Sequence, residues 1–383
     1  MDRCDIKHEP VEESNADIQD ISSNADAKRM QRKKKNREDK EKTRSNILRS
    51  GFVFICVFQS LLLRTETSEQ VILHYLERVL HAIFFIGHIN CPPIAPEEFL
   101  PDKLLNTFKV IAPKAFTQYN IHPPQYTPYS ILLEYMTLKL QPEDPDLFMK
   151  ELAAINRELL KVYHEEGGES TLNEFTMMAS VVCFSCIKDP SDGRVLKWAY
   201  GSSLSCKGTI QRKIMIDVSA LHVWDKAISY AVCCEGNGPP ITFPEQVHCR
   251  AYRFNTESGE YKEIPPCTLC NTIYNLNFTP EYQDLNKEEK WPYGNCAENE
   301  SLSRLLQSDE DVRRQVCIKG DEEEILMDRD QIEKMFIEKY EEERKSRLKR
   351  NLTPRKFRLP PEWEFFVSSY PISSENFNII SQG

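Results

Sequence analysis

The chain has 383 residues, of which 40% are hydrophobic and 28% are charged. That hydrophobic share is enough to bury sizeable cores, so the composition excludes a wholly disordered protein. The formal net charge of −10 excludes a chain that is basic throughout, as many nucleic-acid-binding proteins are, and leaves room only for a local basic patch.

The thirteen cysteines are an odd number spread over a long chain. The first residues, MDRCDIKHEPVEES, are polar and acidic, unlike a secretory leader. We therefore expect an intracellular protein of the cytoplasm or nucleus, with some cysteines on a metal rather than in disulfides. The most apolar run, Gly51–Leu63, is shorter than the roughly 20 residues of a spanning helix, so it predicts a buried helix and no membrane association.

Residues 1–45 are charged and lack apolar periodicity, which predicts a disordered arm. The arm contains the basic segment Lys28–Arg44. Two interpretations of that segment stay open: a nuclear-localisation or nucleic-acid-contacting element, or a solvated, partly helical lead-in to the next helix.

Residues 46–166 have apolar residues at spacings of three and four, interrupted by prolines. This pattern predicts a separate all-α domain with helices near 68–90, 102–112 and 129–140 and another from about 144.

Residues 170–318 predict an α/β domain, a mixed sheet flanked by helices. The pattern indicates a hairpin with strands near 179–187 and 194–201, a helix over 217–233, and a second hairpin that leads into PPCTLC. A strand followed by a metal motif and a helix predicts a site at the carboxyl edge of the sheet.

Two further segments follow the α/β domain. Residues 319–350 predict a charged helix, and residues 351–383 predict an extended tail. The tail carries Trp363, Phe365 and Phe366, which are too apolar for a simple linker, so it either packs back on a domain or docks a partner.

The segment from Pro265 to Leu306 carries metal-site spacing. Cys267 and Cys270 form a PCxxC motif, and Cys296 and Glu298 form a CxE motif at the start of a predicted helix. Three protein thiolates leave a tetrahedral zinc ion with one open position, which is the catalytic arrangement.

PCTLC together with NCAE resembles the two motifs of the zinc-dependent cytidine deaminase superfamily. The resemblance implies a cytidine-deaminase-like fold in which Cys267, Cys270 and Cys296 bind zinc and Glu298 is the catalytic proton shuttle. It also implies a nucleoside, or a base in a nucleic acid, as the substrate. PCxxC precedes CxE here, the reverse of the usual order, so the resemblance is to a permuted or divergent member.

Aromatic residues flank the two motifs. Trp291, Tyr293 and Tyr274 are candidates to stack on a base, or are ordinary core aromatics. Asn295 either hydrogen-bonds a sugar hydroxyl or caps the helix that follows it.

The alternative function is a non-enzymatic, zinc-stabilised protein-interaction module, with a partner bound through the helical domain or the C-terminal tail. In that case a fourth ligand closes the zinc site, and the candidates are Cys233, Cys234, His248 and Cys249. The second CxxC, Cys183 and Cys186, lies in a predicted strand, where residues three apart point to opposite faces, so this pair is predicted to be buried core cysteines.

Overall fold

The computed structural model describes residues 15–65, 67–140, 144–168, 174–284, 289–320, 324–360 and 362–372. Backbone contacts divide the chain into two compact units, 1–45 and 46–383. The second unit is a mixed α/β structure in which helices cover a mainly antiparallel sheet.

The described helices follow the predicted order with more breaks than the sequence pattern indicates. In chain order they are α1 (Asn15–Arg64), α2 (Glu69–His88), α3 (Pro96–Phe99), α4 (Asp102–Ile111), α5 (Pro113–Gln118), α6 (Pro128–Leu140), α7 (Pro145–Glu165), α8 (Thr209–Val218), α9 (Lys226–Cys234), α10 (Thr268–Ile273), α11 (Ala297–Ser308), α12 (Glu310–Gln315), α13 (Arg329–Phe336) and α14 (Glu342–Leu352). Two π-helical turns, Ser219–Val223 and Ile337–Glu341, and a 3₁₀ turn, Thr353–Arg355, extend some of them.

The strands are β1 (Val181–Lys188), β2 (Val195–Ser202), β3 (Ile241–Thr242), β4 (Val247–Asn255), β5 (Glu260–Ile264), β6 (Tyr274–Asn275), β7 (Asn277–Thr279), β8 (Ile318–Lys319) and β9 (Ile325–Met327). The main sheet has the order β2-β1-β4-β5, and β7 pairs in parallel with β4. Its two hairpins, β1–β2 and β4–β5, lie where the sequence predicts them. Short pairs, β3 with β6 and β8 with β9, stand outside this sheet.

Both faces of β1 are buried, and alternate side chains enter different cores. Phe184 and Cys186 face the large core formed with α1, α2, α6 and α7. Cys183 lies on the opposite face with Ala297 at the start of α11. The prediction that Cys183 and Cys186 are buried on opposite faces of a strand is therefore confirmed, with exposures of 0% and 1%.

The predicted separation of an all-α domain from the sheet domain is not confirmed. One continuous hydrophobic core contains residues of the helices between 46 and 165 and of strands β1, β2 and β4. For example, the rings of Phe148 on α7 and Tyr200 on β2 stack with centroids 3.8 Å apart. The described part of 46–383 is one compact unit, and the boundary near 166–170 stays a prediction.

The apolar run 51–63 lies in α1, and Val53, Phe54 and Leu62 are fully buried. The segment Arg29–Arg64 is long and apolar enough to cross a membrane by length and composition, a criterion that buried core helices also meet. Where the sequence predicts a disordered arm, helix already begins at Asn15, which matches the helical lead-in alternative for Lys28–Arg44. Residues 1–14 of the predicted arm lie outside the described residues.

The predicted helix over 217–233 is broken near its middle. The backbone turns to an extended conformation at Trp224, and Asp225 starts α9 by accepting a hydrogen bond from the Ala227 N–H at 2.8 Å. The Asp225 carboxylate is fully buried and also accepts a hydrogen bond from Arg329 Nη2 at 2.9 Å. Sequence periodicity does not predict this break, because Arg329, the charge partner of Asp225, lies far along the chain.

The predicted charged helix over 319–350 begins later than expected. The β8–β9 pair occupies its first part, and residues 321–323 lie outside the described residues. Helix α13 starts after Asp328, whose side chain accepts from Gln331 N while Gln331 Oε1 accepts from Asp328 N. This capping box fixes the start of the helix.

The described part of the C-terminal tail packs back on the protein. Trp363 and Phe365 pack against the large core, and Phe366 is buried. The Phe366 ring stacks on His81 of α2 with centroids 3.7 Å apart. Of the two alternatives for the tail, packing on the protein is therefore the one observed in its described part, up to residue 372. Residues 373–383 lie outside the described residues.

Candidate metal centre

The three cysteines of the PCxxC and CxE motifs lie at the starts of two helices. Cys267 is the N-cap residue of α10 and Cys296 is the N-cap residue of α11, each with an extended backbone. Cys270 follows one turn into α10 and is 1% exposed. The starts of α10 and α11 lie close together in space, so their N-cap residues and first turns bring the three sulfur atoms together.

The sulfur atoms of Cys267, Cys270 and Cys296 all lie within 4.8 Å of one another. The Cys267 and Cys296 sulfurs are 3.4 Å apart. Two thiolates on a tetrahedral zinc ion, each at about 2.3 Å, would lie about 3.8 Å apart, so the group is close enough to hold one metal ion.

The thiols perturb each other strongly. Hydrogen bonds from the Cys270 thiol and then the Cys296 thiol lower the pKa of Cys267 to about 3. The same contacts with Cys267, together with burial, raise the pKa of both Cys270 and Cys296 well above the usual value. The protein alone therefore favours one thiolate and two thiols here, and three thiolates require a cation to balance their charge.

Glu298 lies in the first turn of α11, two residues after Cys296, and is 4% exposed. Burial, and next the charge of Cys267, raise the pKa of Glu298 to about 7. A cation on the thiols would act in the opposite direction. The CxE spacing thus places a buried carboxyl group close enough to Cys267 for the two charges to interact, while the catalytic role of Glu298 stays a prediction.

A cavity of about 770 Å³ opens beside the thiols. Cys267, Cys296 and Glu298 lie on its wall, and so do Trp291 and Asn295. A volume of this size accommodates a small organic molecule or a single nucleoside. The cavity lies where β2 and β5 end and β1 begins, rather than at the carboxyl edge of a parallel sheet, because the hairpins make this sheet mainly antiparallel.

The other predicted substrate residues divide into two groups. Trp291 and Asn295 line the cavity, whereas Tyr293 and Tyr274 do not. The Tyr293 ring packs in the core around α9. Tyr274 is 2% exposed, and its hydroxyl donates to Asn299 Oδ1 at 2.5 Å, so it is a core aromatic that anchors α11.

Of the two alternatives for Asn295, helix capping is wrong, and the hydrogen bond to a sugar hydroxyl stays a prediction. The N-cap residue is Cys296, and its side chain makes no capping hydrogen bond. The Asn295 backbone carbonyl instead accepts from Leu204 N at 3.0 Å, and Asn295 Oδ1 is buried without a partner in the described part of the chain. An unsatisfied acceptor at the wall of a cavity is suited to a ligand donor.

Among the described residues, the four candidates for a fourth ligand do not join the thiol group. Cys234 lies 3.4 Å from the Tyr340 hydroxyl, and the Cys233 carbonyl accepts from Arg344. The Cys249 sulfur is 3.1 Å from that of Cys183, in the layer between the sheet and α11. His248 precedes it on β4, where alternation directs its side chain to the other face of the sheet.

Helix α11 lies unusually close to β2, and Gly201 makes this approach possible. A Cβ atom on Gly201 would be 2.3 Å from the Ser301 backbone nitrogen and 2.6 Å from the Ala297 carbonyl oxygen. On β1, the Ser185 hydroxyl is 2.8 Å from the Ser301 hydroxyl, which adds a polar link between sheet and helix. The sheet therefore sets the position of the helix that carries Cys296 and Glu298.

Replacing Gly201 by alanine is expected to lower the free energy of unfolding by about 1–3 kcal/mol, because the new methyl group meets helix backbone rather than a movable side chain. Urea denaturation would measure the change. Gly238→Ala is the matched control, since a Cβ there has Cys234 Sγ as its nearest neighbour at an ordinary 3.4 Å. Equal stability of the two variants would contradict this account of helix packing.

Two cationic residues that no sequence pattern assigns to the site, Arg253 and Lys290, also line the cavity. Arg253 lies on β4 opposite Val181 of β1, and both line the cavity. No motif marks Arg253, since its place depends on the pairing register of two strands far apart in sequence.

No family model matches the chain, and neither a curated protein nor a solved structure matches it.

Proposed function

We propose that this protein is a zinc-dependent hydrolytic deaminase that acts on a nucleoside or on a base in a nucleic acid. The observation that carries the proposal is the position of Glu298. Its carboxyl group is buried in the first turn of α11 and lies on the wall of a cavity of about 770 Å³ that Cys267 and Cys296 also line. A buried acid on the wall of a cavity, next to a group that could hold a metal, is typical of a catalytic residue rather than of one that only stabilises the fold.

Zinc fits this set of donors. Three thiols are soft ligands, which favour zinc over hard cations such as magnesium or calcium. Three protein ligands leave a fourth position open, and none of the other described cysteines or histidines fills it. When bound, zinc lowers the pKa of a coordinated water to about 7 and so supplies hydroxide at neutral pH.

The chain's own residues then account for proton transfer and binding. Glu298 would take one proton from the attacking water and deliver it to the ring nitrogen, and it would then carry the second proton of that water to the departing amino group. Water supplies the new carbonyl oxygen, the carbon–nitrogen bond to the amino group breaks, and ammonia leaves. Trp291 offers a stacking face for the base, and Asn295 Oδ1 offers an acceptor.

The cations of the cavity support a substrate that carries phosphate. Arg253 and Lys290 line the cavity with the thiols, and Glu289 and Glu298 are the acids on its wall among the residues that the structure describes. Phosphate groups next to a base would meet these side chains. The proposal therefore covers bases in single-stranded nucleic acid as well as free nucleosides.

The test is ammonia release from cytidine, adenosine and single-stranded oligonucleotides that contain cytosine or adenine. We expect release by the zinc-loaded protein, its loss after treatment with a chelator, and its return when zinc is added back. A zinc-loaded protein that releases no ammonia from any of these substrates would contradict the proposal. The non-enzymatic, zinc-stabilised interaction module would then be the better description.

A further inference from the structure

A second cavity lies apart from the thiol group. It has a volume of about 600 Å³ and is bounded by α2, α6, β2, α11 and tail residues 366–368. None of its lining residues also lines the cavity beside the thiols. We call it the arginine cavity, after Arg78 and Arg304 on its wall. Its volume falls within the range of small-molecule binding sites.

The wall of the arginine cavity carries more cations than anions. Arg78, Arg304 and Lys197 line it, whereas Glu134 is the single acidic lining residue that the structure describes. His74 also lines it but is uncharged at neutral pH, because burial lowers its pKa to about 4. The surface that a ligand meets is therefore rich in donors.

Glu134 accepts hydrogen bonds from Arg78 and forms a longer ion pair with Arg304. Both terminal nitrogens of Arg78 bind the two Glu134 oxygens. Arg304 donates through Nε and Nη2 to Glu300 Oε1, at 3.1 and 2.8 Å, from behind the cavity wall. Its Nη1 atom lies 3.6 Å from Glu134 Oε2, beyond hydrogen-bonding distance. Because this ion pair is longer than a hydrogen bond, Arg304 Nη1 can also donate to an acceptor of a ligand in the cavity.

Lys197 supplies a second cation at the cavity. Its ammonium group lies 2.8 Å from Asp309 Oδ2 and donates to the Ser308 carbonyl at 3.1 Å. These contacts use two of its three donors. Because Glu300 and Asp309 balance the charge from outside the wall, the cavity is suited to one compact anionic group rather than to a polyanion.

Flat aromatic surfaces adjoin these cations. The Arg304 guanidinium lies 4.3 Å from the centroid of the Tyr126 ring, which holds it in place. Trp198 and Phe366 also line the cavity. From this combination we propose that the arginine cavity binds a small organic molecule with a planar ring and one carboxylate or phosphate group.

Binding is tested with 1-naphthyl phosphate, 1-naphthoate and neutral 1-naphthol as competitors of the fluorescent probe 1-anilinonaphthalene-8-sulfonate. These compounds are not nucleobases, so the assay is independent of the proposed deaminase reaction. We expect both anions to displace the probe at least about tenfold more effectively than naphthol, since a charge-assisted hydrogen bond is lost without the anion. Comparing the displacement by 1-naphthyl phosphate with that by 1-naphthoate shows whether the cavity binds a phosphate or a carboxylate more tightly.

Two variants locate the binding. Arg304→Gln removes the donor, and Thr137→Trp fills the cavity while leaving every charge in place. Each is expected to weaken binding at least about tenfold, and Thr137→Trp decides the outcome if Arg304→Gln does not fold. Arg314→Gln, which removes an exposed charge on α12 that lines neither cavity, is the control and should bind as the parent does. Unchanged binding in a folded Thr137→Trp variant, or equal displacement by naphthol, would overturn the proposal.

Discussion

Replacing Cys296 by serine is expected to abolish stable zinc binding. The Cys267, Cys270 and Cys296 sulfurs lie within 4.8 Å of one another, and no other described cysteine or histidine can take over the lost position. A serine hydroxyl is a far weaker zinc ligand than a thiolate, and the remaining PCxxC pair offers only two ligands. The purified parent should contain one zinc ion per chain, and the variant almost none, by elemental analysis.

Two control variants sharpen this experiment. Cys91→Ser changes an exposed cysteine and should leave the zinc content unchanged. Cys249→Ala removes a thiol that the structure pairs with Cys183, outside the metal group, and should also retain zinc. Loss of zinc in Cys249→Ala would mean that a fourth thiolate closes the site, and full zinc in Cys296→Ser would show that the two motifs do not share a metal.

The local elements of the site could be read from the sequence because they depend on short-range patterns. The β1–β2 hairpin follows from alternating apolar residues around a turn, and α11 follows from the residues after Cys296. The motif spacing also predicted that the three thiols and Glu298 belong together. The distances between the sulfur atoms agree with that prediction, while their metal and their roles stay predictions.

What the sequence pattern could not provide depends on contacts between distant residues. Arg253 reaches the cavity through the register of β4 against β1, and Gly201 matters only because α11 packs on it. The break before α9 is fixed by Asp225 and its distant partner Arg329. The shared core of helices and sheet likewise appears only in three dimensions, since each predicted helix shows an apolar face but not what covers it.

Replacing Glu298 by glutamine is expected to reduce ammonia release by about 10²–10⁴-fold while zinc stays bound, which rests on the proposed deaminase function. Glutamine keeps the size of the side chain and a carbonyl oxygen that can still accept a hydrogen bond. It cannot take a proton from water and return it to the ring nitrogen. The loss should therefore appear in the turnover rate, with little change in zinc content or thermal stability.

Glu310→Gln provides the matched control, because it removes a carboxylate that is half-exposed on α12 and paired with Arg313 and Arg314. This variant should release ammonia as the parent does. If Glu298→Gln kept the parent rate, Glu298 would not be the proton shuttle, and another group at the cavity would have to serve. If it lost zinc as well as activity, Glu298 would act by holding the thiol group together. Measuring zinc and ammonia on the same samples separates these outcomes.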